Sequence, residues 1–204
     1  MGDTKRSALV LLAHPNPSIS EVNLTMARAV RDLEGVTMVD LYAEYPTLDL
    51  DIDLEQARLR ANDIVVFQFP FYWYSTPAIL KEWQDLVLEY GFAYGHDGTA
   101  LHGKTLFCAV TTGGAQDSYT REGFNHLTVR QLLAPIEQTA HLCGMVYLPP
   151  LVLHSARSAA EDHRISEHAR TYTHAIETAQ VDRWHVPSVA KAETLNAALD
   201  ALEG

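Results

Sequence analysis

Five short, nearly continuous apolar runs, separated by helical patterns, restrict the fold of this chain more than any other feature. They are Ala8–Ala13, Val36–Leu41, Asp63–Phe69, Thr105–Val110 and Val146–Leu153, the last interrupted by Pro149 and Pro150. Runs of this length without polar alternation suit strands covered on both faces, as in a parallel sheet. Between them, apolar residues recur at helical spacing: Val22, Met26, Ala27, Val30 and Leu33 after the first run, and Ile79, Leu80, Trp83, Leu86 and Val87 within Pro77–Tyr90 after the third. Leu54–Asn62 is a shorter helix, Leu127–Cys143 a helix kinked or split at Pro135, and Ala159–Gln180 a polar helix. Strand and helix in alternation predict an α/β doubly wound parallel sheet, and 204 residues suit five strands in the order 2-1-3-4-5. Residues 1–180 are expected to form this domain, with 181–204 a helical tail packed on it.

In that order the loops leaving strands one, three and four share one crevice at the carboxyl ends of the strands. The first loop begins at His14-Pro15, where Pro15 and Pro17 stop the strand, and Ser18–Asn23 leads into the helix. Free N–H groups and the dipole at a helix start favour an anion by about 0.3–2 kcal/mol. Ser20 and Asn23 would add direct hydrogen bonds, and Ser20 also suits a helix cap. Neither GxxxxGK[ST] nor GxGxxG is present. The second loop, Pro70–Thr76, carries Phe71, Tyr72, Trp73 and Tyr74, either a flat wall for a planar ligand or aromatics packed on their own domain. Thr76 and Pro77 then read as an N-cap and the first residue of a helix. The third loop is Thr111-Thr112-Gly113-Gly114, where glycine lets backbone N–H groups approach a flat ligand. The three loops together fit a phosphorylated planar ligand. Flavin mononucleotide (FMN) fits better than an adenine nucleotide, because no acidic ribose hook follows the first helix.

Composition removes several alternatives. A formal net charge of −11 argues against a nucleic-acid surface, and no basic stretch suits anionic lipid. Cys108 and Cys143 are the only cysteines and read as reduced and buried. Asp49, Asp51 and Asp53 lack the glycine and distal glutamate of a calcium loop, so they read as a solvated face within an acidic loop Tyr42–Asp53. His163, His168 and His174 do not share a helix face, so no metal site is expected. Gly91–Lys104 is a glycine-rich loop, and Ala115–Asn125 a polar, mobile one. The N-terminal apolar run is too short for an export signal or membrane span, which predicts a cytoplasmic protein.

The stretches FPFYWYSTPAILKEWQD, GFAYGHDGTALHGK and TTGG resemble the flavodoxin-like NAD(P)H:quinone oxidoreductase family, above all the ancillary flavoproteins of glutathione-gated potassium-efflux transporters. The resemblance covers roughly residues 8–155. It implies that His14, Ser20, Glu21, Val22 and Asn23 hold the phosphate and ribityl chain of FMN. Phe71, Tyr72, Trp73 and Tyr74 would lie along the isoalloxazine ring, and Thr111, Thr112, Gly113 and Gly114 at its pyrimidine end. It also implies a homodimer with the active site at the subunit interface, NADH or NADPH as donor, and a quinone reduced by ping-pong hydride transfer. Tyr119 falls on the tyrosine that balances charge in the mammalian members; Asn125 stands at their histidine, with His126 one step away. Tyr119 and His126 are therefore the candidate catalytic residues. Two other functions remain open: a regulatory subunit of a potassium-efflux transporter, at the inner face of the membrane, and an azo- or nitro-compound reductase.

Overall fold

The computed structural model describes residues 5–16, 20–182, 184 and 187–203; Pro17 and Ser18 of the first loop, and Arg183, His185, Val186 and Gly204 of the tail, lie outside them. Strands β1 (Ala8–Leu12), β2 (Val36–Asp40), β3 (Ile64–Pro70), β4 (Thr105–Thr111), β5 (Val146–Tyr147) and β6 (Leu151–Leu153) form one sheet. Its order is β2-β1-β3-β4-β5, with β6 also paired to β4 and every pairing parallel. The doubly wound flavodoxin-like arrangement is thus borne out. Pro149 and Pro150 cannot donate to the ladder, and they break the last strand into β5 and β6, both against β4.

Alternate residues of the central strands enter two separate cores, as a two-residue side-chain period requires. Leu9, Leu11, Val65, Phe67, Cys108 and Val110 face α3 (Ile52–Ala61), α4 (Ala78–Val87), α5 (Val129–Leu132) and α6 (Ala134–Leu142). Val10, Val66, Phe107 and Ala109 face α1 (Glu21–Arg31), α7 (Arg164–Gln180), α8 (Pro187–Lys191) and α9 (Leu195–Glu203). On the first side, Trp83 packs edge-on against Phe67 with centroids 5.6 Å apart. In α9 the Asn196 side chain accepts from the Val152 N–H at 2.9 Å, satisfying a donor of the edge strand β6.

Several local expectations change. The start of the loop Tyr42–Asp53 is a one-turn helix, α2 (Leu41–Glu44), because Asp40 accepts from Ala43 N–H and caps it. Asp51 caps α3 in the same way, so this aspartate is more than a solvated charge. Thr76 does not cap α4: Pro77, with φ −58° and ψ 153°, is still extended and holds the N-cap position without a side-chain bond. The loop Ala115–Asn125 is folded, with a 3₁₀ turn at Gln116–Tyr119 and the Asn125 N–H donating to Ser118 O at 2.9 Å. Pro135 splits the predicted helix into α5 and α6, as its ring demands.

The α7 core holds an acid-sensitive point. Burial, and then the charges of Arg164 and His154, lower the pKa of His168 to about 4, against 6.5 ordinarily. Between those values the unfolded chain takes up a proton that the folded chain refuses. Stability is therefore lost as pH falls from about 6.5 to about 4, by roughly 3 kcal/mol at the acid end. His168→Leu should show a smaller fall in melting temperature over that range than the wild type; equal falls would contradict this account.

Candidate functional site

A cleft of about 560 Å³ opens at the carboxyl ends of the strands, within the usual size for a small-ligand site. Its first wall is the β1–α1 turn, with His14 and Ser20–Asn23. Ser20 is the N-cap of α1: its Oγ accepts from the Asn23 N–H at 3.3 Å and from Asn23 Nδ2 at 3.1 Å. Asn23 Nδ2 also donates to Thr111 Oγ1 at 3.1 Å, and Asn23 O accepts from Gln68 Nε2 at 2.8 Å. Asn23 thus joins the start of α1 to β3 through its backbone carbonyl and to the end of β4 through its side-chain amide. The N–H groups of Glu21 and Val22, in the first turn, have no partner within the helix.

His14 is buried, and burial lowers its pKa against an opposing pull from Asp40. Its Nδ1 accepts from the Asn16 N–H at 3.1 Å. The neutral ring therefore carries its proton on Nε2, which leaves a donor available.

The second wall is Pro70, Phe71 and Tyr72. Trp73 and Tyr74, expected along the same wall, do not line the cleft. Tyr72 and Ser75 exchange backbone hydrogen bonds of 3.1 and 3.0 Å around them, and Trp73 and Tyr74 have positive φ, 47° and 64°. This tight reversal leaves Trp73 94% exposed and carries the Tyr74 hydroxyl to Asn125 Oδ1 at 3.1 Å. Left-handed backbone at a tryptophan and a tyrosine costs on the order of 1–3 kcal/mol each, a kind of strain that clusters at functional sites.

Thr111, Thr112 and Gly113 form the third wall. A Cβ at Gly113 would meet no atom within 4 Å, so packing does not demand glycine there; at Gly114 it would lie 3.2 Å from the Tyr119 ring. Gly114 itself stands outside the cleft lining. The loop is tied to the segment after β6 by Ala156 N–H to Thr112 O at 2.8 Å and Ser155 N–H to Gly114 O at 3.0 Å. The Thr112 hydroxyl donates to Gly114 O at 2.9 Å, so it must accept from His154 Nδ1, 3.1 Å away. His154 is held neutral, its pKa lowered to about 4 by burial and then by Arg164.

A fourth wall was not anticipated: Ala156, Arg157, Ala160 and Ile165, from the β6–α7 segment. That segment also leaves the carboxyl end of a strand, and this position was the one signal in the sequence that pointed to it. Neither Tyr119 nor His126 lines the cleft. Tyr119 packs behind it, against Phe71 at 6.3 Å and His154 at 5.5 Å between centroids. His126 is exposed, so the imidazole beside Tyr119 belongs to His154. Burial, and then Tyr74, raise the Tyr119 pKa, so its phenol is protonated at neutral pH. Both cysteines are free and buried, and no cluster of three or more metal-ligating side chains occurs among the described residues.

A family model described as a flavodoxin-like fold matches residues 6–176. The chain belongs to this flavodoxin-like family. Among its relatives is the glutathione-regulated potassium-efflux system ancillary protein KefG of Cronobacter sakazakii, 43% identical over 164 residues, which span 80% of this chain and 89% of KefG. Of solved structures, the general stress protein 14 of Treponema denticola in complex with FMN is 38% identical with a TM-score of 0.82, covering 85% of this chain and 99% of its own. An NADPH-quinone reductase of P. pentosaceus is 30% identical with a TM-score of 0.74, over 86% and 98% of the two chains. These flavodoxin-like relatives match nearly their whole length.

Proposed function

We propose that this chain is an FMN-dependent NAD(P)H oxidoreductase that reduces quinones by two electrons. The observation that carries the reading is the cleft itself, which joins an anion-suited helix start, an aromatic wall and an open glycine on one ligand-sized space. The FMN bound by the T. denticola relative and the quinone-reductase activity named for the P. pentosaceus relative support it. The residues present fit FMN: Asn23, in the cleft lining, has a buried Oδ1 without a hydrogen-bond partner among the described residues, an acceptor left for a ribityl hydroxyl. Bound FMN would supply hydride transfer between a reduced nicotinamide and an acceptor.

The chain's own groups then have distinct tasks. The first turn of α1, Ser20 and His14 Nε2–H hold the phosphate; Phe71 and Tyr72 offer ring faces; Gly113 admits the flat end of the ligand. Tyr119, kept as a phenol behind Phe71 and outside the cleft lining, would act on developing negative charge only by supporting the Phe71 wall. NADH or NADPH and the quinone occupy one place in turn. Initial rates with both substrates varied should give parallel double-reciprocal lines, whereas intersecting lines would exclude alternation at one place.

The homodimer belongs to the same reading. Trp73 and Phe124 are 94% and 83% exposed on adjoining loops joined by the Tyr74–Asn125 bond at the rim of the cleft, as expected of side chains that a second copy covers. A Trp73→Ser, Phe124→Ser double variant should run as a monomer in size exclusion with light scattering, where the wild type runs as a dimer. A variant that stays dimeric contradicts this interface.

The relation to KefG favours a second, compatible role, docking on a potassium-efflux transporter. No helix among the described residues is long and apolar enough to cross a membrane; in this role the chain would meet the membrane from its cytoplasmic face, through the transporter. Co-purification with a transporter supports this role, and unchanged transporter gating after deletion of the chain opposes it.

A further inference from the structure

We infer that Arg157 clamps the phosphate ester of the flavin from the β6–α7 wall of the cleft, an assignment that rests on the flavin reading above. Among the described residues that line the cleft, Arg157 is the one lysine or arginine. It lies on the segment between β6 and α7, and α7 packs against α1. Its side chain is exposed, and among the described residues it forms no ion pair. The neighbouring Arg164, by contrast, is fully engaged, with His154 O, Ser155 O, Ser158 Oγ and Asp162 Oδ2. Arg157 therefore keeps its planar fork of donors free for a ligand.

The electrostatics of the cleft call for such a group. The start of α1 supplies N–H donors and a partial positive charge of about half a unit, which does not match a phosphate dianion. Glu21 stands on the same wall, in the first turn of α1, and would face that dianion with like charge. The protein as a whole carries −11. A guanidinium lining the same cleft offsets Glu21, and its geometry suits two phosphate oxygens at once. Asn23 Oδ1, without a partner among the described residues and in a residue 2% exposed, marks independently that this end of the cleft is built for a ligand.

The test compares FMN with riboflavin, which lacks only the phosphate, binding to the full-length apoprotein of wild type, Arg157→Gln and Arg157→Lys by quenching of flavin fluorescence. Arg157→Gln should weaken FMN by about 10–100-fold, the usual loss for a charge-assisted hydrogen bond, and leave riboflavin unchanged. Arg157→Lys should recover part of the loss, and the salt dependence of FMN binding should be shallower in Arg157→Gln than in wild type. Equal weakening of both flavins, or an unchanged FMN affinity, overturns the assignment. So does a variant that binds FMN normally but loses use of NADPH and not NADH, since the guanidinium would then serve the dinucleotide's phosphate. A wild-type chain that binds neither flavin overturns the flavin reading and this assignment together.

Discussion

Gly113→Leu is expected to give a folded protein with its wild-type melting temperature and an FMN affinity lower by about 10–100-fold or more. The two halves of this result have one cause. A Cβ at Gly113 meets nothing within 4 Å, and its backbone is outside the left-handed region, so the fold has no objection to a side chain. That free space belongs to a residue lining the cleft, so a leucine there occupies the room of the ligand. Misfit in a close-packed site costs about 1–3 kcal/mol or more, which here falls on binding alone. Gly114→Leu is the control: its Cβ lies 3.2 Å from the Tyr119 ring, so it should lose stability as well. Fluorescence titration alongside thermal unfolding separates the two. Unchanged FMN affinity in Gly113→Leu would remove Gly113 from the flavin's path.

The second large effect concerns stability. Glu55 is fully buried and accepts from Tyr45 Oη at 2.6 Å, from Trp83 Nε1 at 2.9 Å and from the Arg58 guanidinium. Glu55→Ala leaves three donors without their acceptor, one of them charged. Removing one partner of a buried pair costs about 3–5 kcal/mol, because the remaining charge stays desolvated. Arg58 keeps a second contact, to Glu44 at 3.0 Å, which places the loss toward the lower end. Denaturant unfolding should show a drop of this size, with Glu55→Gln intermediate because it can still accept. A loss below about 1 kcal/mol would mean that solvent reaches the site after truncation.

How far the sequence disclosed these features depends on the range over which each is determined. The β1, β3 and β4 runs were legible because strands buried on both faces tolerate almost no polar residue, and the strand order followed from alternation with helices. Three walls of the cleft were legible for the same reason, since each is the turn that directly follows one of those strands. Backbone angles inside a loop were not. Phe71 to Tyr74 read as one aromatic wall, yet positive φ at Trp73 and Tyr74 divides them into a cleft pair and a surface pair. Arg157 and His154 escaped because they reach the site through a short, broken edge strand that carries no recognisable turn chemistry. The histidine beside Tyr119 was sought within a few residues of it, but the fold brings it from β6, through Thr112.

The most direct test of the flavin reading is the visible absorption spectrum of the purified protein after addition of FMN and removal of the excess, repeated with NADPH in the absence of oxygen. A retained flavin band that bleaches with NADPH is the predicted result. A protein from which FMN washes away, or whose bound flavin keeps its band in excess NADPH and NADH, would contradict it.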